Sequence, residues 1–398
     1  MNNAREVVAR ALVTMPFPSA LDVVASGPIP GGQHVLLTDH DSDGHSVIQF
    51  MLDDDGTPML HGATEAGLAL CENLNDGDDI GIGRFLGVMP ADLQYVRHSR
   101  DEHRIDVYLT DDLDVGEKFV LTLYRRVWPG TPVEVEALST VTGRYSPDLL
   151  GRIEWKWHGR RYILGTIRRL PTGTRALEYF RAGAEAQVFS YDEGVELGAT
   201  VRYVHDSLLM AFPYEQESAE VIQTALLERL EAFRTQCPEL LDNHVGWITA
   251  WYHQLRGTML VHRLHGNLTL DRIWLEEDNT WLIGGWEGDV RLPMAERARL
   301  WSPLRDLAIL NGSLVEACGG NGSWCRMLMA SICEGYGDPI YSVPFISFVL
   351  DRICEQLVCA SLDPEASTET LMSFLTWFAE VEPSLHRQLE ESSFMRFS

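Results

Sequence analysis

Lysine is scarce in this sequence. Its 398 residues include 58 acidic and 32 basic residues, which gives a formal net charge of −26, and Lys118 and Lys156 are its two lysines. Binding to nucleic acid or to an anionic membrane requires clustered cations, so this charge balance argues against both kinds of partner. It also leaves few amines that could bind a phosphate group.

Long apolar runs and paired cysteines are also absent. No segment reaches the roughly 18 consecutive apolar residues of a membrane-spanning helix. The seven cysteines are an odd number without CxxC spacing, which argues against a disulfide framework and against a zinc site. Residues 1–18 contain no continuous apolar segment and are predicted to form a short amphipathic helix rather than a signal peptide. These absences predict a cytoplasmic protein.

The first 170 residues contain three pairs of strand-like segments, and a short turn separates the members of each pair. Segments rich in β-branched and apolar residues on both sides of a turn are typical of β-hairpins, and Asp-Gly is a strong turn signal. The pairs are 33–38 with 45–52 around Asp41–Gly44, 103–109 with 118–125, and 153–157 with 162–167. This part of the chain is therefore predicted to be β-rich.

From about Thr172 onward, apolar residues recur with helical spacing. The segments with this pattern are 219–240, 345–362 and 368–381, and a short hairpin over 272–275 and 280–283 interrupts them. A β-rich part followed by a mostly helical part with one internal hairpin predicts an α+β fold with two lobes, as in kinases.

Two segments resemble, in the same order, two motifs of the maltokinase family. They are residues 119–138, FVLTLYRRVWPGTPVEVEAL, and residues 292–308, which include LPMAER and SPLRDLA. Maltokinases are bacterial sugar kinases within the aminoglycoside-phosphotransferase-like superfamily. The resemblance implies a bilobal kinase-like fold with an N-terminal maltokinase-type cap (1–88), a β-rich N-lobe (89–170) and a mostly helical C-lobe (171–398).

The resemblance also indicates which N-lobe residues would bind ATP. The family has a strand lysine that contacts the ATP phosphates and a helix glutamate that orients it. Thr122 stands at the lysine position. The glutamate corresponds to Glu134, or to Glu136 if the alignment is shifted because this chain is shorter than the family motif just before the glutamate. Threonine is too short to reach a phosphate. Lys118 is about 13 Å away along the same strand, and Lys156 is on a different predicted strand, so neither replaces the missing lysine.

In the family, a His-Gly-Asp loop supplies the catalytic aspartate, and here the loop ends at Asn267. An amide can orient a hydroxyl group but cannot take its proton near neutral pH. The resemblance implies a structural hydrogen-bonding role for His265, which we favour over a metal site formed with His262. It also implies that Arg305 and Asp306 fasten the loop that follows the metal-binding turn, with a sugar contact as the alternative role of Arg305.

The two metal-binding positions of the family are altered as well. Arg272 stands where the family has glutamine, and Gly285 stands where it has the metal-binding aspartate. Magnesium requires hard oxygen ligands, which glycine lacks, and an arginine would repel the ion. The carboxylates of Asp271, Glu287 and Asp289 are the candidate substitutes.

These four changes make a catalytically impaired maltokinase homologue, a pseudokinase, the leading hypothesis, and no cofactor is expected for it. Because family members assemble with or are fused to trehalose synthase, the resemblance implies a non-catalytic or regulatory subunit of that enzyme or of another α-glucan-pathway protein, with a sugar as a candidate ligand. The alternative is an active sugar kinase that phosphorylates maltose or an amino sugar, with ATP and magnesium as cofactors and rearranged metal ligands.

Overall fold

The computed structural model describes residues 21–29, 32–39, 46–53, 77–100, 104–114, 116–141, 143–288, 297, 299–319, 322–337, 342–362, 368–369 and 371–380. The chain divides into two compact units, Met1–Thr172 and Gly173–Ser398. The helix predicted over residues 1–18 lies outside the described residues. The division of the first unit into a cap (1–88) and an N-lobe (89–170) stays a prediction.

Antiparallel strands dominate the first unit. Its described elements are β1 (Leu21–Ile29), β2 (Gly32–Asp39), β3 (Val47–Asp53), β4 (Asp79–Ile80), β5 (Gly83–Gly87), β6 (Gln94–Arg100), β7 (Arg104–Thr110), β8 (Phe119–Tyr124), β9 (Arg126–Val127), α1 (Val133–Thr140), β10 (Leu149–Trp157) and β11 (Arg160–Arg169). They form a four-stranded sheet, β1-β2-β3-β9, and a seven-stranded sheet, β4-β5-β10-β11-β8-β7-β6. All three predicted hairpins are confirmed, because β2 pairs with β3, β7 with β8, and β10 with β11.

The seven-stranded sheet is built around an apolar centre. Val107, Leu121 and Leu164, from β7, β8 and β11, are each at most 2 % exposed. Strand β8, with the sequence FVLTLY, is buried over its first five residues, as expected of a central strand that is covered on both faces. Thr122 lies in the middle of this strand and is 0 % exposed, so its hydroxyl group must find a partner inside the protein.

Gln49 of β3 connects the two sheets of the first unit. Its Nε2 donates hydrogen bonds to the backbone carbonyls of Tyr124 at 2.9 Å and Leu164 at 3.0 Å, both in the larger sheet. Its Oε1 accepts a hydrogen bond from His34 Nε2 at 2.8 Å. A neutral His34 satisfies this bond, whereas a protonated ring would place a charge in a fully buried position.

We expect acid to destabilise the first unit through His34. Burial lowers the pKa of His34 to about 4, although the bond to Gln49 opposes the shift, and the ordinary value is 6.5. The unfolded chain therefore binds the proton first as pH falls, so stability is fully present above pH 6.5 and is lost progressively toward pH 4, by at most about 3 kcal/mol. Urea unfolding at pH 7.5, 6.5 and 5.5 measures this loss. His34→Gln should flatten the dependence, and an unchanged slope would contradict the assignment.

The second unit is mostly helical. Its elements are β12 (Thr174–Arg175), α2 (Ala176–Ala186), α3 (Tyr191–Ala211), β13 (Tyr214–Ser218), α4 (Ala219–Gln236), α5 (Pro238–Leu241), α6 (Val245–Tyr252), β14 (Thr258–His262), a 3₁₀ turn (Leu270–Arg272), β15 (Ile273–Leu275), β16 (Trp281–Ile283), α7 (Leu304–Ala317), α8 (Gly322–Tyr336) and α9 (Val343–Ser361). Residues 371–380 are also helical. The predicted internal hairpin is confirmed as β15 and β16, and β12 extends it to three strands. Among the described residues, no helix has the length and apolar character needed to cross a bilayer.

One helix prediction in this unit is wrong in its extent. The pattern over 219–240 predicts one helix, but α4 ends at Gln236 and a separate turn, α5, begins at Pro238. Proline has no N–H to continue the helix and clashes with the preceding turn. The helix predicted over 345–362 is confirmed as α9, where the Ser342 hydroxyl accepts a hydrogen bond from the Phe345 N–H at 3.3 Å.

Candidate functional site

A buried carboxylate holds the His-Gly-Asn loop that follows β14. Asp306 lies in the first turn of α7 and is 0 % exposed. One of its carboxylate oxygens accepts a hydrogen bond from the backbone N–H of Gly266 at 2.9 Å, and the other accepts from the backbone N–H of His265 at 2.9 Å. Asp306 therefore fixes the backbone of the His-Gly-Asn loop. The role that the resemblance implies for it, fastening the loop after the metal-binding turn, stays a prediction.

His205 of α3 is the third partner of Asp306. Its Nε2 donates to the carboxylate at 3.2 Å, and its Nδ1 accepts a hydrogen bond from the Tyr336 hydroxyl at 2.9 Å. Burial by itself would raise the pKa of Asp306, but the interactions with His205 and the backbone N–H of Gly266 hold that pKa below its usual value. The carboxylate therefore stays ionised and acts as an anchor for the loop.

His265 connects the loop to the turn after β16. Its Nε2 donates to the Gly284 carbonyl at 2.7 Å, and its Nδ1 accepts from the Asn267 N–H at 3.3 Å. Its ring centroid lies 4.8 Å from that of Trp286. Burial is the main reason that the pKa of His265 is lowered, so the ring is neutral near pH 7. Both ring nitrogens thus form hydrogen bonds within the protein.

Arg272 fills the space beside Gly285. Its Nη1 donates to the Gly285 carbonyl at 2.8 Å and to Glu287 Oε1 at 3.1 Å. A Cβ atom placed on Gly285 would lie 2.7 Å from Nη1 and 2.9 Å from Cδ of Arg272. Gly285 also has a φ of +71°, a conformation that favours glycine. A side chain at position 285 is therefore incompatible with Arg272 in its present position.

The structure groups some of the predicted metal-site residues and separates others. Arg272, Gly285 and Glu287 lie together, whereas Asp271 is exposed on the 3₁₀ turn. Asn267 is half-buried, and its backbone carbonyl accepts a hydrogen bond from the Thr269 N–H at 3.0 Å. Asp289 lies outside the described residues.

The residues around Arg272 do not fit a divalent cation. Magnesium requires oxygen ligands, but position 285 has no side-chain oxygen and the guanidinium group is ion-paired with Glu287. Within the part of the chain that the structure describes, no group of three or more His, Cys, Asp and Glu side chains is placed to bind a metal ion. No reaction step through a metal is therefore assigned to these residues.

In the first unit, Thr122 forms a hydrogen bond with a neighbouring strand. Its hydroxyl donates to Asp106 Oδ1 at 2.6 Å, and the two residues lie opposite each other on β8 and β7. Arg104 Nε lies 3.2 Å from the other carboxylate oxygen of Asp106. Thr122, at which the resemblance places the family's lysine, is thus buried and hydrogen-bonded to Asp106, which is in turn paired with Arg104.

Glu134 keeps a cationic partner, but that partner is an arginine. Glu134, in α1, is 3 % exposed, accepts a hydrogen bond from the Tyr124 hydroxyl at 2.9 Å, and lies 3.2 Å from Arg168 Nε on β11. Sequence reasoning considered only lysines and missed Arg168. Glu134 itself was the signal that could have pointed to such an arginine, because a buried carboxylate is rarely found without a partner.

The other candidates for this cation–glutamate pair lie elsewhere. Lys118 is ion-paired with Asp111 at 2.7 Å, and Lys156 is exposed on β10. Glu136 is half-buried in α1, whereas Glu134 contacts Tyr124 on the strand of Thr122. Glu134 therefore contacts the strand that carries Thr122, through the Tyr124 hydroxyl at its end.

Arg305 belongs to a buried charged group. It is 8 % exposed, and its guanidinium carbon lies 4.9 Å from the ring centroid of Trp301. Burial, reinforced by the charge of Arg229, lowers the pKa of Arg305, and Asp351 and Glu355 oppose this effect. These residues lie on α4, α7 and α9, so the arrangement favours an architectural role. The alternative sugar contact of Arg305 stays a prediction.

No protein-family model matches the chain. Solved structures do match it over nearly its whole length. One glucosamine kinase structure superposes with a TM-score of 0.67 at 15 % identity and covers 96 % of this chain and 100 % of its own. A glucosamine kinase in complex with glucosamine, ADP and inorganic phosphate superposes with a TM-score of 0.64 at 14 % identity, covering 93 % of this chain and 96 % of its own.

These similarities confirm the predicted fold class. The chain has an α+β, kinase-like fold, with strands concentrated in the first unit and helices in the second. At this level of identity the likeness concerns the fold alone, and function must be argued from the residues of the site.

Proposed function

We propose that this protein is a maltokinase-like pseudokinase, which keeps the kinase fold without transferring phosphate. One observation supports this proposal above the others: Arg272 Nη1 lies only 2.7 Å from the position that a Cβ atom on residue 285 would occupy. An internal cation is paired there with Glu287 at 3.1 Å, in the turn where the maltokinase resemblance places the metal-binding aspartate. A magnesium ion could not bind beside a fixed positive charge and without a carboxylate at position 285.

The loop chemistry supports the same proposal. Asn267 offers an amide where phosphoryl transfer uses a carboxylate to orient and accept the proton of the attacking hydroxyl. His265 donates Nε2–H to Gly284 and, with its lowered pKa, serves as a neutral structural link rather than as a replacement base. The loop is therefore well anchored but lacks a general base.

Charge pairing in the first unit also supports the pseudokinase proposal. Arg104 lies 3.2 Å from Asp106, and Arg168 lies 3.2 Å from Glu134. Each arginine near the former lysine position thus has a carboxylate partner, and Thr122 is hydrogen-bonded to Asp106. A phosphate group would have to compete with these carboxylates for each cation.

We further propose a non-catalytic or regulatory role with trehalose synthase or another α-glucan-pathway protein, in the cytoplasm. The resemblance of residues 119–138 and 292–308 to maltokinase motifs supports this choice of partner. A kinase fold that keeps its loop anchor, Asp306, but lacks reactive groups is best explained by a retained binding surface. Affinity purification of the tagged protein from its native cell tests the partnership, and recovery of no α-glucan-pathway enzyme would argue against it.

The second candidate function is an active ATP-dependent sugar kinase for maltose or an amino sugar. The carboxylate of Glu287 favours it, because it lies in the turn where a metal ligand is expected. The similarity in fold to a glucosamine kinase solved with glucosamine and ADP makes glucosamine a reasonable substrate to test. This function would require Arg272 to leave Glu287.

A turnover and binding experiment separates the two functions. We expect no ADP release above background with maltose, glucose or glucosamine. We also expect no magnesium-dependent rise in melting temperature with ATP, whereas a ligand that binds the native state would raise the melting temperature. The matched variants Asn267→Ala and Glu287→Ala should behave like the wild type in this assay. ADP release that either variant abolishes would establish the kinase function and reject the pseudokinase.

A further inference from the structure

A cavity of about 420 Å³ lies within the second unit, away from the Arg272–Glu287 pair. It is lined by parts of α3, β14, the start of α7 and the end of α8. Its size is within the range of small-molecule binding sites. Asn267, Arg272, Gly285 and Glu287 are not among the described residues that line it. We propose that this cavity binds a compact, uncharged, polyhydroxylated molecule of the size of a mono- or disaccharide.

His262 places a hydrogen-bond acceptor in the wall of the cavity. His262 is 1 % exposed and lines the cavity, and its Nδ1 donates to the Arg263 carbonyl at 2.6 Å. Its Nε2 is thus the acceptor nitrogen of a neutral ring, and it has no hydrogen-bond partner among the described residues. Burial is the main cause that lowers the pKa of His262, which keeps the ring neutral. A ligand that fits must therefore bring a donor.

Tyr336 also lines the cavity. Its hydroxyl donates to His205 Nδ1 at 2.9 Å, because His205 Nε2 must donate to the Asp306 carboxylate. The cavity wall therefore includes the hydrogen-bond partner of His205 as well as the acceptor nitrogen of His262.

The charge around the cavity argues against an ionic ligand. Arg202 and Asp206 line it together, and Arg202 Nε lies 3.0 Å from both oxygens of Asp206, so their charges cancel. The chain as a whole has a net charge of −26, which disfavours anions such as phosphate at its surface. The rest of the lining includes the apolar side chains of Leu209 and Met259. A sugar or cyclitol, with hydroxyl groups around an apolar ring face, matches this combination.

The site does not depend on the proposed function. It uses no residue of the Arg272 group, and it would exist equally in an active kinase. The cavity is also linked to the Asn267 loop, because Tyr336 contacts His205, and His205 contacts the Asp306 anchor of that loop. A ligand in the cavity would therefore affect the stability of that loop through two hydrogen bonds, Tyr336–His205 and His205–Asp306.

Calorimetry on the full chain tests the proposal, with glucose, maltose and myo-inositol as neutral probes and inorganic phosphate as the anionic probe. The blocking variant is Leu209→Trp, which fills the cavity from α3. Its matched control is Met210→Trp on the next residue, which is 82 % exposed and is not among the described lining residues. We expect at least one neutral probe to bind, and Leu209→Trp to weaken it about tenfold or more, while Met210→Trp leaves the affinity unchanged.

Hydrogen exchange of the wild type provides the second readout, so the test does not depend on the fold of a variant. We expect the bound probe to slow exchange in residues 258–262, next to the cavity, and in residues 264–267 of the loop. Binding that Leu209→Trp does not weaken, protection confined to other segments, phosphate as the preferred probe, or no binding of any neutral probe at millimolar concentration would each overturn the proposal. Failure here would leave the pseudokinase proposal unaffected, because the ADP-release assay tests that proposal independently.

Discussion

Asp306→Ala is expected to lower the free energy of unfolding of the second unit by about 3–5 kcal/mol. The carboxylate accepts hydrogen bonds from the backbone N–H groups of His265 and Gly266 and from His205 Nε2, and both histidines are only 2 % exposed. Each buried donor without an acceptor costs about 1–3 kcal/mol. Hydrogen exchange of residues 258–268 as a function of urea measures the loss within this unit.

Asp242→Ala is the matched control for this prediction. Asp242 is also ion-paired, with Arg234 Nε at 2.8 Å, but both side chains are about half exposed. Exposed pairs contribute at most about 1 kcal/mol, so this variant should remain close to the wild type. Asp306→Asn should fall between the two, because the amide keeps one acceptor oxygen. If Asp306→Ala were as stable as Asp242→Ala, Asp306 would not be the anchor of the loop.

Local signals in the sequence were sufficient for most of the architecture. The hairpins were predictable because their signals, turn residues flanked by apolar runs, lie within about ten residues of one another in the sequence. The helix 219–240 was mispredicted at one end because its apolar spacing continues past Pro238. Within α4, Val221 is 46 % exposed whereas the adjacent Ile222 is buried, so apolar character alone does not identify the buried face. One residue of rotation on a helix moves a side chain by about 100°.

Contacts between distant segments could not be predicted in the same way. Glu134 and Arg168 meet because α1 packs beside the sheet that contains β11, and no spacing rule connects these positions in the sequence. The comparison with the maltokinase motif treats Arg272 and Gly285 as two separate altered positions. The structure indicates that they are complementary, since the absence of a Cβ at position 285 makes room for the guanidinium group.

That complementarity predicts that Gly285→Ala destabilises the second unit by about 2–5 kcal/mol. A non-glycine residue in the left-handed region costs roughly 1–2 kcal/mol, and the φ of Gly285 is +71°. The added methyl group would lie 2.7 Å from Arg272 Nη1 and 2.9 Å from its Cδ, so crowding adds about 1–3 kcal/mol. Urea unfolding followed by exchange of residues 281–288 measures the sum.

Gly288→Ala separates the two contributions. Gly288 has nearly the same φ, +70°, but its added methyl group would contact Arg297 at 3.6 Å or more, an ordinary distance. This variant should show only the backbone cost. In an Arg272→Ala background, Gly285→Ala should fall to the same cost, because the crowding atoms are gone, and the double-mutant cycle then gives the Arg272–Gly285 coupling directly. Equal costs for Gly285→Ala and Gly288→Ala in the wild-type background would mean that the guanidinium does not fill this space, and the pseudokinase proposal would lose its main support.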